Sequence, residues 1–411
     1  MSNRAGGRHV GSCRKCFALI AGGGTAGHAK PALELARELA RRHTPDCVAL
    51  VGGRRGLEKK VWEPSGMEAF YLPGRGMPRI SRTASWTGIW GYISGMVAFS
   101  ADLAMAMAGS AVLVARKRPA VLVVFGGYSA VAPALAAVAM RIPLVVANVD
   151  AVAGRSNRML ARLAKASGVA WPGTGLPREV VTGAPVSRSV IEAGRSRRSA
   201  GASVESDAAR RELGIPAGRF VVLAVGGSLG ARRLNELVLD LASAWSSRTD
   251  VAIYHVVGDR YLAWAQDRAM ELGLLGSGDH HTDEGTGIVY VQVGYESRMD
   301  RAYLAADLAI CRSGAITVSE LAAAALPAVL VPLPGAPSAH QEANARVLAS
   351  RDAAVMVSED GLSAEKLRDA VESLIGDGTR MVGMAAKLSN LFPENATLSL
   401  ADLVERHAKA S

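Results

Sequence analysis

The sequence predicts an α/β fold made of two doubly wound, Rossmann-like domains that face a central cleft. Short apolar or β-branched runs alternate with helical patterns along the 411 residues, which is typical of parallel sheets with crossover helices. Two of these runs lead into glycine-rich loops at helix starts, at residues 22–27 and 226–230. The length exceeds that of one ordinary hydrophobic core. We therefore expect two domains, each with its own sheet.

The first half of the chain carries a glycine loop after its first strand. Strands are expected at residues 17–21, 48–51, 121–125, 144–147 and 179–182. Gly22, Gly24 and Gly27 fit the pattern G-x-G-x-x-G, which presents backbone N–H groups to a phosphate. The second strand, however, ends in Gly-Gly-Arg-Arg, without an acidic residue for a dinucleotide's ribose, and no Gly-Lys-Ser/Thr ending is present. The loop therefore indicates phosphate chemistry without naming the ligand.

The second half repeats this arrangement after a polar interruption. Its strands are expected at residues 220–225, 252–257, 288–293, 308–311 and 328–331. The interruption at 192–212 is rich in Arg, Ser and Ala and lacks apolar periodicity, which is typical of a linker or exposed loop. We predict a basic N-terminal extension at 1–16, a first domain at 17–186, a linker at 187–218 and a second domain with C-terminal helices at 219–411.

The composition excludes several function classes. A content of 49% hydrophobic and 20% charged residues describes a well-packed globular protein. The net charge of +10 suits an anionic membrane surface, whereas an aromatic content of 5% without basic–aromatic alternation argues against nucleic acid. Four cysteines are too few for a disulfide framework, and residues 1–16 do not form a signal peptide, so we expect a cytoplasmic protein. Cys13 and Cys16 have zinc-knuckle spacing, but no second pair completes a metal site.

One apolar segment, residues 89–115, is long enough to cross a bilayer and carries a single charge, Asp102. Gly and Ser recur in it, and basic residues and Pro119 follow directly before a strand. A membrane span here would put two halves of the first sheet on opposite sides of the membrane. We therefore expect a crossover helix that packs against the sheet or touches the membrane surface.

Six motifs occur in one order along the chain: GGGTAGH at 22–28, FGGYSAVAP at 125–133, VVTGAPV at 180–186, VGGSLGARRLN at 225–235, CRSGAITVSELAAAALPAVLVP at 311–332 and HQEANA at 340–345. Over residues 17–355 the chain thereby resembles the MurG family of GT-B glycosyltransferases. The resemblance implies transfer of GlcNAc from UDP-GlcNAc to muramyl-pentapeptide pyrophosphoryl-undecaprenol, by a peripheral protein on the cytoplasmic face of the plasma membrane. No Asp-x-Asp pair ends a strand, so we predict inverting transfer without a metal or cofactor, in which N–H groups stabilise the leaving diphosphate.

The resemblance places the donor site in the second domain. Glu320 would accept the ribose hydroxyls of UDP, although a carboxylate near a helix start can instead stabilise the helix dipole. His340 and Gln341 would hold sugar hydroxyls, and Tyr295 would lie near the uracil, with Glu296 beside it. The diphosphate would contact the second glycine loop and the turn before Glu320, which together contribute Gly227, Ser228, Gly230, Ser313, Gly314, Ala315, Ile316 and Thr317.

The acceptor would then meet the first glycine loop. Gly24, Thr25 and Gly27 would contact its phosphate through backbone N–H groups and a hydroxyl. His28 would deprotonate the acceptor hydroxyl or donate a hydrogen bond to a diphosphate oxygen, because imidazole titrates near neutrality. The alternative is a structural histidine that caps the loop. Tyr128 resembles part of a second acceptor-side loop, and its alternative role is packing over the glycines.

The chain departs from the family after the strand at 144–147. MurG proteins carry a His-Glu-Gln-Asn run there, whereas this chain has Ala147-Asn148-Val149-Asp150. Asn148 and Asn157 are candidate acceptor contacts, and Asp150 is a second candidate base. Because changed contacts change specificity, we favour a paralogue that acts on a moenomycin-type phosphoglycolipid intermediate. A cell-wall MurG and an inactive UDP-sugar-binding scaffold are the alternatives.

Overall fold

The computed structural model describes residues 16–74, 86–227, 230–275, 287–335 and 339–409. Ser228 and Cys13 lie outside these ranges, as does all of the predicted N-terminal extension except Cys16. Within the described residues, the chain forms two parallel sheets with helices between their strands. This arrangement confirms the predicted α/β fold of two Rossmann-like domains.

The first sheet has the strand order β3-β2-β1-β4-β5-β6-β7 in the described part of the chain. Both faces are covered: Ala18 and Ile20 of the first strand join one core cluster, and Leu19 and Ala21 join another. Burial on both faces explains why the strands read as continuous apolar runs. The strands are β1 Ala18–Gly22, β2 Val48–Gly53, β3 Ala69–Leu72, β4 Val121–Gly126, β5 Leu144–Asn148, β6 Ala166–Val169 and β7 Glu179–Val181.

Seven helices accompany and follow this sheet in the described residues. They are α1 Ala26–Arg42, α2 Glu58–Trp62, α3 Trp86–Lys117, α4 Val131–Ala139, α5 Arg155–Ala161, α6 Arg188–Arg197 and α7 Ala202–Glu212. Helix α1 follows the first glycine loop directly, with Thr25 as its N-cap residue.

The second sheet has the order β10-β9-β8-β11-β12-β13 over the residues that the structure describes. Its strands are β8 Phe220–Val225, β9 Val251–Val256, β10 Val289–Val293, β11 Leu308–Cys311, β12 Ala328–Leu330 and β13 Val355–Met356. The helices of this half are α8 Arg232–Ala244, α9 Leu262–Glu271, α10 Met299–Ala305, α11 Ala315–Ala324, α12 His340–Ala349, α13 Ala364–Ile375, α14 Gly378–Leu391 and α15 Ala396–His407.

Ten of these strands lie within one or two residues of the predicted positions, and three were missed. The missed strands are β3, β6 and β13, which have two to four residues each. Ala-Ser-Gly-Val in β6 and Val-Met in β13 are too weak an apolar signal to predict a strand. Their pairing with longer neighbours therefore determines them.

The polar stretch at 192–212 is helical rather than an exposed loop. Its two helices, α6 and α7, pack against α10, and α6 also packs against α11. The Arg197 guanidinium donates to the carbonyls of Tyr303 and Leu304 at the end of α10, and burial lowers the pKa of Arg197 to about 10. A Cβ on Gly194 would lie 1.9 Å from the carbonyl oxygen of Ala323, so glycine permits the close approach of α6 to α11. The arginines that predicted a solvated linker instead cap helix carbonyls.

The last helix, α15, packs against the first sheet although it follows the second in the chain. Arg42 at the end of α1 forms ion pairs with Asp402 (2.6 Å) and Glu405 (2.8 Å). A Cβ on Gly168 of β6 would lie 2.7 Å from the Leu400 side chain, so the helix approaches the strand closely. We predicted 219–411 as one domain, but the chain returns to the first sheet in its final helix.

Helix α3 connects β3 to β4. In the first sheet, β2 and β1 lie between these two strands. In the described residues, the part at Ser94–Lys117 is long and apolar enough to cross a membrane, and 24% of its most apolar window is buried. Leu103, Met105 and Val112 are exposed large hydrophobic residues on it. A helix whose two ends feed strands of one sheet cannot span a bilayer without dividing that sheet, so we interpret α3 as a crossover helix with an exposed apolar face.

Candidate active site

The two domains meet where strands β5 and β11 end. Asn344 on α12 accepts a hydrogen bond from the backbone N–H of Ala151 (2.8 Å) and donates to Asp150 Oδ1 (3.0 Å). The same amide donates to the carbonyl of Ser313 (3.2 Å), and Asn344 is fully buried. The carboxyl ends of parallel strands are where α/β folds bind ligands. Asn344 therefore joins the predicted acceptor loop to the predicted donor loop.

A buried carboxylate occupies the first glycine loop. Oε1 of Glu58, at the start of α2, accepts hydrogen bonds from the backbone N–H groups of Gly24 (2.7 Å) and Gly53 (3.1 Å). Glu58 is fully buried, and a Cβ on Gly23 would lie 1.8 Å from its Oε1. The N–H of Gly24, which we predicted to meet the acceptor phosphate, is therefore already donated to the protein itself.

Sequence reasoning missed Glu58, although one signal was present. We looked for an acidic residue at the end of β2 as a ribose ligand and found Gly-Gly-Arg-Arg. Glu58 is the first acidic residue after that strand. It lies one short loop after β2, and its side chain turns back onto the glycines. A carboxylate that binds a ribose is expected at the strand end itself, so Glu58 does not fit that pattern.

His28 lies in the first turn of α1 and faces back toward the glycine loop. Its Nδ1 is 3.2 Å from the carbonyl oxygen of Gly23 and 3.4 Å from Thr25 Oγ1. The imidazole is half-buried, and Thr25 is exposed. The N–H of His28 donates to the carbonyl of Thr25 (3.2 Å), whereas the earlier N–H groups of the first helical turn, including that of Gly27, have no intrahelical acceptor. The helix start can therefore still receive an acceptor group beside His28.

Tyr128 covers the same glycine loop from the end of β4. It begins a short 3₁₀ turn, Tyr128–Ala130, and 37% of its surface is exposed. A Cβ on Gly24 would lie 3.7 Å from its ring, which supports the packing alternative without removing the hydroxyl from solvent. Burial, and next the charge of Glu58, raise the pKa of Tyr128. The phenol therefore stays protonated near neutrality.

Two buried amides shape the loop after β5. Asn148 Nδ2 donates to the backbone carbonyl of Asp150 (2.6 Å), and Asn157 Nδ2 donates to Asn148 Oδ1 (3.0 Å). Asn148 and Asn157 are 2% and 3% exposed. Both amide nitrogens thus donate within the protein, Asn157 Oδ1 has no partner among the described residues, and the predicted contact of Asn148 and Asn157 with an acceptor stays a prediction.

The turn before α11 leaves a helix N-terminus without an acidic side chain. Gly314 is the N-cap residue, no side chain caps the helix, and its first turn has no acidic residue. Ser313 is fully buried and its hydroxyl donates to the backbone carbonyl of Gln341 (2.7 Å), so it fixes α12 rather than facing a ligand. Backbone N–H groups at such a helix start attract a phosphate. The first turn is formed by Ala315, Ile316 and Thr317.

Glu320 lies farther along α11, at the domain junction. Its Oε2 accepts a hydrogen bond from the Tyr303 hydroxyl (2.9 Å), and its side chain is 9% exposed. Burial, with the charge of Glu320 next, raises the pKa of Tyr303 well above its usual value. On α1 of the first domain, burial raises the pKa of Glu34, and Glu320 contributes to this rise. Tyr303 was missed by sequence reasoning, because no spacing connects a residue of α10 to one of α11.

The start of α12 is held by backbone contacts. Gln341 Oε1 accepts a hydrogen bond from the N–H of Leu333 (3.0 Å), so its amide oxygen is engaged in this structure. His340 is the first residue of the helix and is half-buried. Ala339 before it has φ +49°, a left-handed backbone conformation that residues other than glycine rarely adopt. The predicted contacts of His340 and Gln341 with sugar hydroxyls stay predictions.

Two further parts of the predicted donor site surround β8 and β10. Gly227 and Gly230 have φ +86° and +68°, so the second glycine loop needs glycine at both. Tyr295 is 61% exposed after β10. Its neighbour Glu296 accepts a hydrogen bond from the Tyr254 hydroxyl (2.6 Å), which fixes the loop that carries Tyr295.

Known proteins share both halves of this architecture. The "Glycosyltransferase family 28 N-terminal domain" matches residues 18–169, and the "Glycosyltransferase family 28 C-terminal domain" matches residues 221–403. Two relatives are each named UDP-N-acetylglucosamine--N-acetylmuramyl-(pentapeptide) pyrophosphoryl-undecaprenol N-acetylglucosamine transferase. The protein from Desulforudis audaxviator is 34% identical over 95% of this chain and 98% of its own, and the one from Nocardioides sp. is 36% identical over 94% and 96%.

Solved structures agree with this assignment. The crystal structure of Acinetobacter baumannii MurG superposes with a TM-score of 0.70 at 25% identity and covers 95% of this chain and 99% of its own. A glycotransferase of kitacinnamycin, at 16% identity, shares the fold with a TM-score of 0.62 over 96% of this chain and 99% of its own. The two sheets thus have the GT-B arrangement. The chain belongs to glycosyltransferase family 28 and is a MurG-like glycosyltransferase.

Proposed function

We propose that the chain transfers GlcNAc from UDP-GlcNAc to N-acetylmuramyl-(pentapeptide) pyrophosphoryl-undecaprenol. The names of the relatives support both substrates, and their identity extends over nearly the whole chain. In the structure, the observation that carries the proposal is Glu320, which is held by Tyr303 on a helix whose first turn has no acidic residue. This combination offers a diphosphate the helix start and offers a ribose the carboxylate beside it.

The donor half acts by stabilising the leaving group. The N–H groups at the start of α11 and its dipole face developing negative charge on the β-phosphate of UDP. One oxygen of Glu320 is bonded to Tyr303, and the other is available to the ribose hydroxyls. The glycines of the second loop, Gly227 and Gly230, let the backbone approach the phosphates closely. Because these groups are backbone N–H donors and a helix dipole, we propose that transfer needs no metal.

The acceptor half supplies the base. Nε2 of His28 takes the proton from the acceptor hydroxyl while that oxygen forms a bond to the anomeric carbon. The bond from the anomeric carbon to the UDP oxygen breaks at the same time, and its electron pair leaves with UDP. Attack on the face opposite to the leaving group inverts the anomeric configuration. Asp150 is a second candidate base, but one of its oxygens accepts a hydrogen bond from Asn344 (3.0 Å).

A moenomycin-type phosphoglycolipid is the second candidate acceptor. We favoured it from the sequence, whereas the named relatives favour the muramyl lipid. The specific observation in its favour is the loop after β5, where Ala147-Asn148-Val149-Asp150 stands in place of the family's His-Glu-Gln-Asn run and Asn148 bonds to Asn157. Different side chains in this loop offer different hydrogen bonds to the acceptor.

The membrane contact is proposed to involve α3. Met105 and Val112 are exposed on one side of this helix and give it an apolar face, and Arg116 and Lys117 end it. An apolar helix face with nearby cations suits the surface of an anionic bilayer, where the lipid acceptor resides. We therefore propose a peripheral protein on the cytoplasmic face of the plasma membrane.

The proposal is tested by UDP release from the purified protein in the presence of a chelator. UDP-GlcNAc is offered with the muramyl lipid or with an unrelated phosphoglycolipid, and UDP-GalNAc replaces the donor in a parallel series. We expect turnover with UDP-GlcNAc and the muramyl lipid. Turnover with the phosphoglycolipid alone would transfer the proposal to the second candidate. UDP-sugar binding without turnover on either lipid would instead identify an inactive scaffold.

A further inference from the structure

One peptide group in the first glycine loop connects two ionisable side chains. The peptide between Gly23 and Gly24 donates its N–H to Glu58 Oε1 at 2.7 Å. Its carbonyl oxygen lies 3.2 Å from Nδ1 of His28. The carboxylate and the imidazole are therefore the two ends of a single hydrogen-bonded chain that passes through this peptide.

This series of hydrogen bonds selects the tautomer of His28. A carbonyl oxygen can only accept a hydrogen bond, so the hydrogen of the neutral imidazole belongs on Nδ1. Nε2 then keeps its lone pair, which is the state that a general base needs. The hydroxyl of Thr25 is farther from Nδ1, at 3.4 Å, and its oxygen can accept from the same Nδ1–H.

The surrounding contacts hold this peptide in place. The carbonyl oxygen of Gly23 packs so tightly that a Cβ on Gly127 would lie 2.2 Å from it. Glu58 is fixed by its second hydrogen bond, from the N–H of Gly53 (3.1 Å). Its other oxygen, Oε2, is buried and has no hydrogen-bond partner within the residues that the structure describes. The hydrogen bonds that the structure shows to this carboxylate therefore come from the backbone N–H groups of Gly24 and Gly53.

We propose that Glu58 is the positioning residue of the His28 base and acts on it through the Gly23–Gly24 peptide. A carboxylate on the N–H polarises the peptide, so that its carbonyl oxygen becomes a stronger acceptor. A stronger acceptor holds the Nδ1–H tautomer and stabilises the imidazolium that forms when Nε2 takes the acceptor's proton. The inference rests on the proposed role of His28 as the base.

Other titratable or charged side chains lie near Glu58, and a substitution of Glu58 leaves all of them unaltered. Burial, then the charges of Glu63 and Glu58, raise the pKa of Tyr71 on β3, and burial, then the charge of Glu58, raise the pKa of Tyr128. Arg55 in the loop after β2 and Asp102 on α3 act on Tyr128 in turn. A matched control is therefore an acidic residue near α2 that does not touch the glycine loop. Glu63 meets this requirement, because it is exposed and pairs with Lys59 (3.5 Å).

The test compares Glu58→Gln with Glu63→Gln in pH profiles of kcat/KM. For Glu58→Gln we expect kcat to fall about 10- to 100-fold, within the range of general-base catalysis. The acidic limb of the profile should move down by about one pH unit, because the imidazolium loses a stabilising charge. The KM for UDP-GlcNAc should stay unchanged, and Glu63→Gln should match the unaltered protein. An unshifted limb in Glu58→Gln would overturn the proposal.

A spectroscopic measurement keeps the test valid if Glu58→Gln folds poorly. In protein labelled with ¹⁵N-histidine, with His28 assigned from a His28→Gln sample, we expect the Nδ1–H tautomer. An Nε2–H tautomer would overturn the proposal without any variant of Glu58. His28→Ala separates the two levels of inference. If it retains turnover, the proposed base is wrong; if it loses turnover while Glu58→Gln keeps the original profile, only the role of Glu58 fails.

Discussion

Each domain places a glycine-bearing turn before a helix, and within the described residues the turn at Gly24 contacts a carboxylate whereas the turn at Gly314 leads into a helix without an acidic residue in its first turn. In the first domain, Gly24 donates its N–H to the buried carboxylate of Glu58. In the second domain, the helix that Gly314 begins has no acidic residue in its first turn and no side-chain cap. The two turns have similar backbone patterns but differ in the charge next to their N–H groups.

This difference indicates different tasks for the two loops. A helix start without an acidic group attracts a diphosphate, so the turn at Gly314 suits the donor. A loop that contains a carboxylate repels phosphate and stabilises a cation, so the first loop suits a histidine that becomes protonated during reaction.

The largest effect is expected for Gly127→Ala. The new Cβ would lie 2.2 Å from the Gly23 carbonyl, and Gly127 has φ +84°, so the first loop must move. We expect kcat/KM to fall by more than about 100-fold, since misplacing a catalytic group by 1 Å can have an effect of that size. UDP binding, measured by calorimetry, should be unchanged. The control is Gly383→Ala, where nothing lies within 4 Å of the new Cβ. A loss of UDP binding in Gly127→Ala as large as the loss of kcat/KM would contradict the assignment of the base to the first domain and of the donor to the second.

A smaller effect, confined to the donor side, is expected for Glu320→Gln. Losing charged hydrogen bonds to the ribose should weaken UDP binding by roughly 10- to 100-fold, because such bonds contribute about 1.5–3 kcal/mol each. Tyr303→Phe removes the phenol that donates to Glu320 (2.9 Å) but leaves the carboxylate, so its effect on the Kd should be weaker. Calorimetric titration with UDP measures both. An unchanged Kd in Glu320→Gln would remove Glu320 from the donor site.

The smallest effect is expected at the junction of the two loops. Asn344→Ala removes three hydrogen bonds and leaves Asp150 and Ser313 with fewer partners. We expect a loss of about 1–3 kcal/mol, which lowers the Tm by about 2–4 °C per kcal/mol in a domain of this size. Differential scanning calorimetry of Asn344→Ala and of the unaltered protein measures this change in Tm.

Asp150→Asn is the companion variant at this junction. It preserves the acceptor oxygen for Asn344 but removes the charge. If Asp150 only positions the loop, turnover should fall less than about tenfold, since one neutral hydrogen bond replaces a charged one. A loss as large as that of His28→Ala would instead identify Asp150 as the base.

The sequence by itself determined the fold class and the order of the site motifs. Alternating apolar runs and helical patterns predicted two parallel sheets, because burial on both faces leaves a continuous apolar signal in each long strand. Glycines at 22–27 and 226–230 marked the loops, and Gly24, Gly227 and Gly230 have the positive φ values that glycine adopts readily. Glu320 was predicted by resemblance, and its position on α11 follows from the turn at Gly314.

Only the tertiary structure decided the partners of those motifs. Glu58, Tyr303 and Asn344 contact residues of other elements, and no period or spacing in the sequence encodes such a contact. The polar stretch at 192–212 became helical because its arginines found buried carbonyls at the end of α10. The last helix returned to the first sheet through packing on Gly168. Local sequence determines which backbone shapes are possible, whereas long-range burial determines which polar groups are paired inside them.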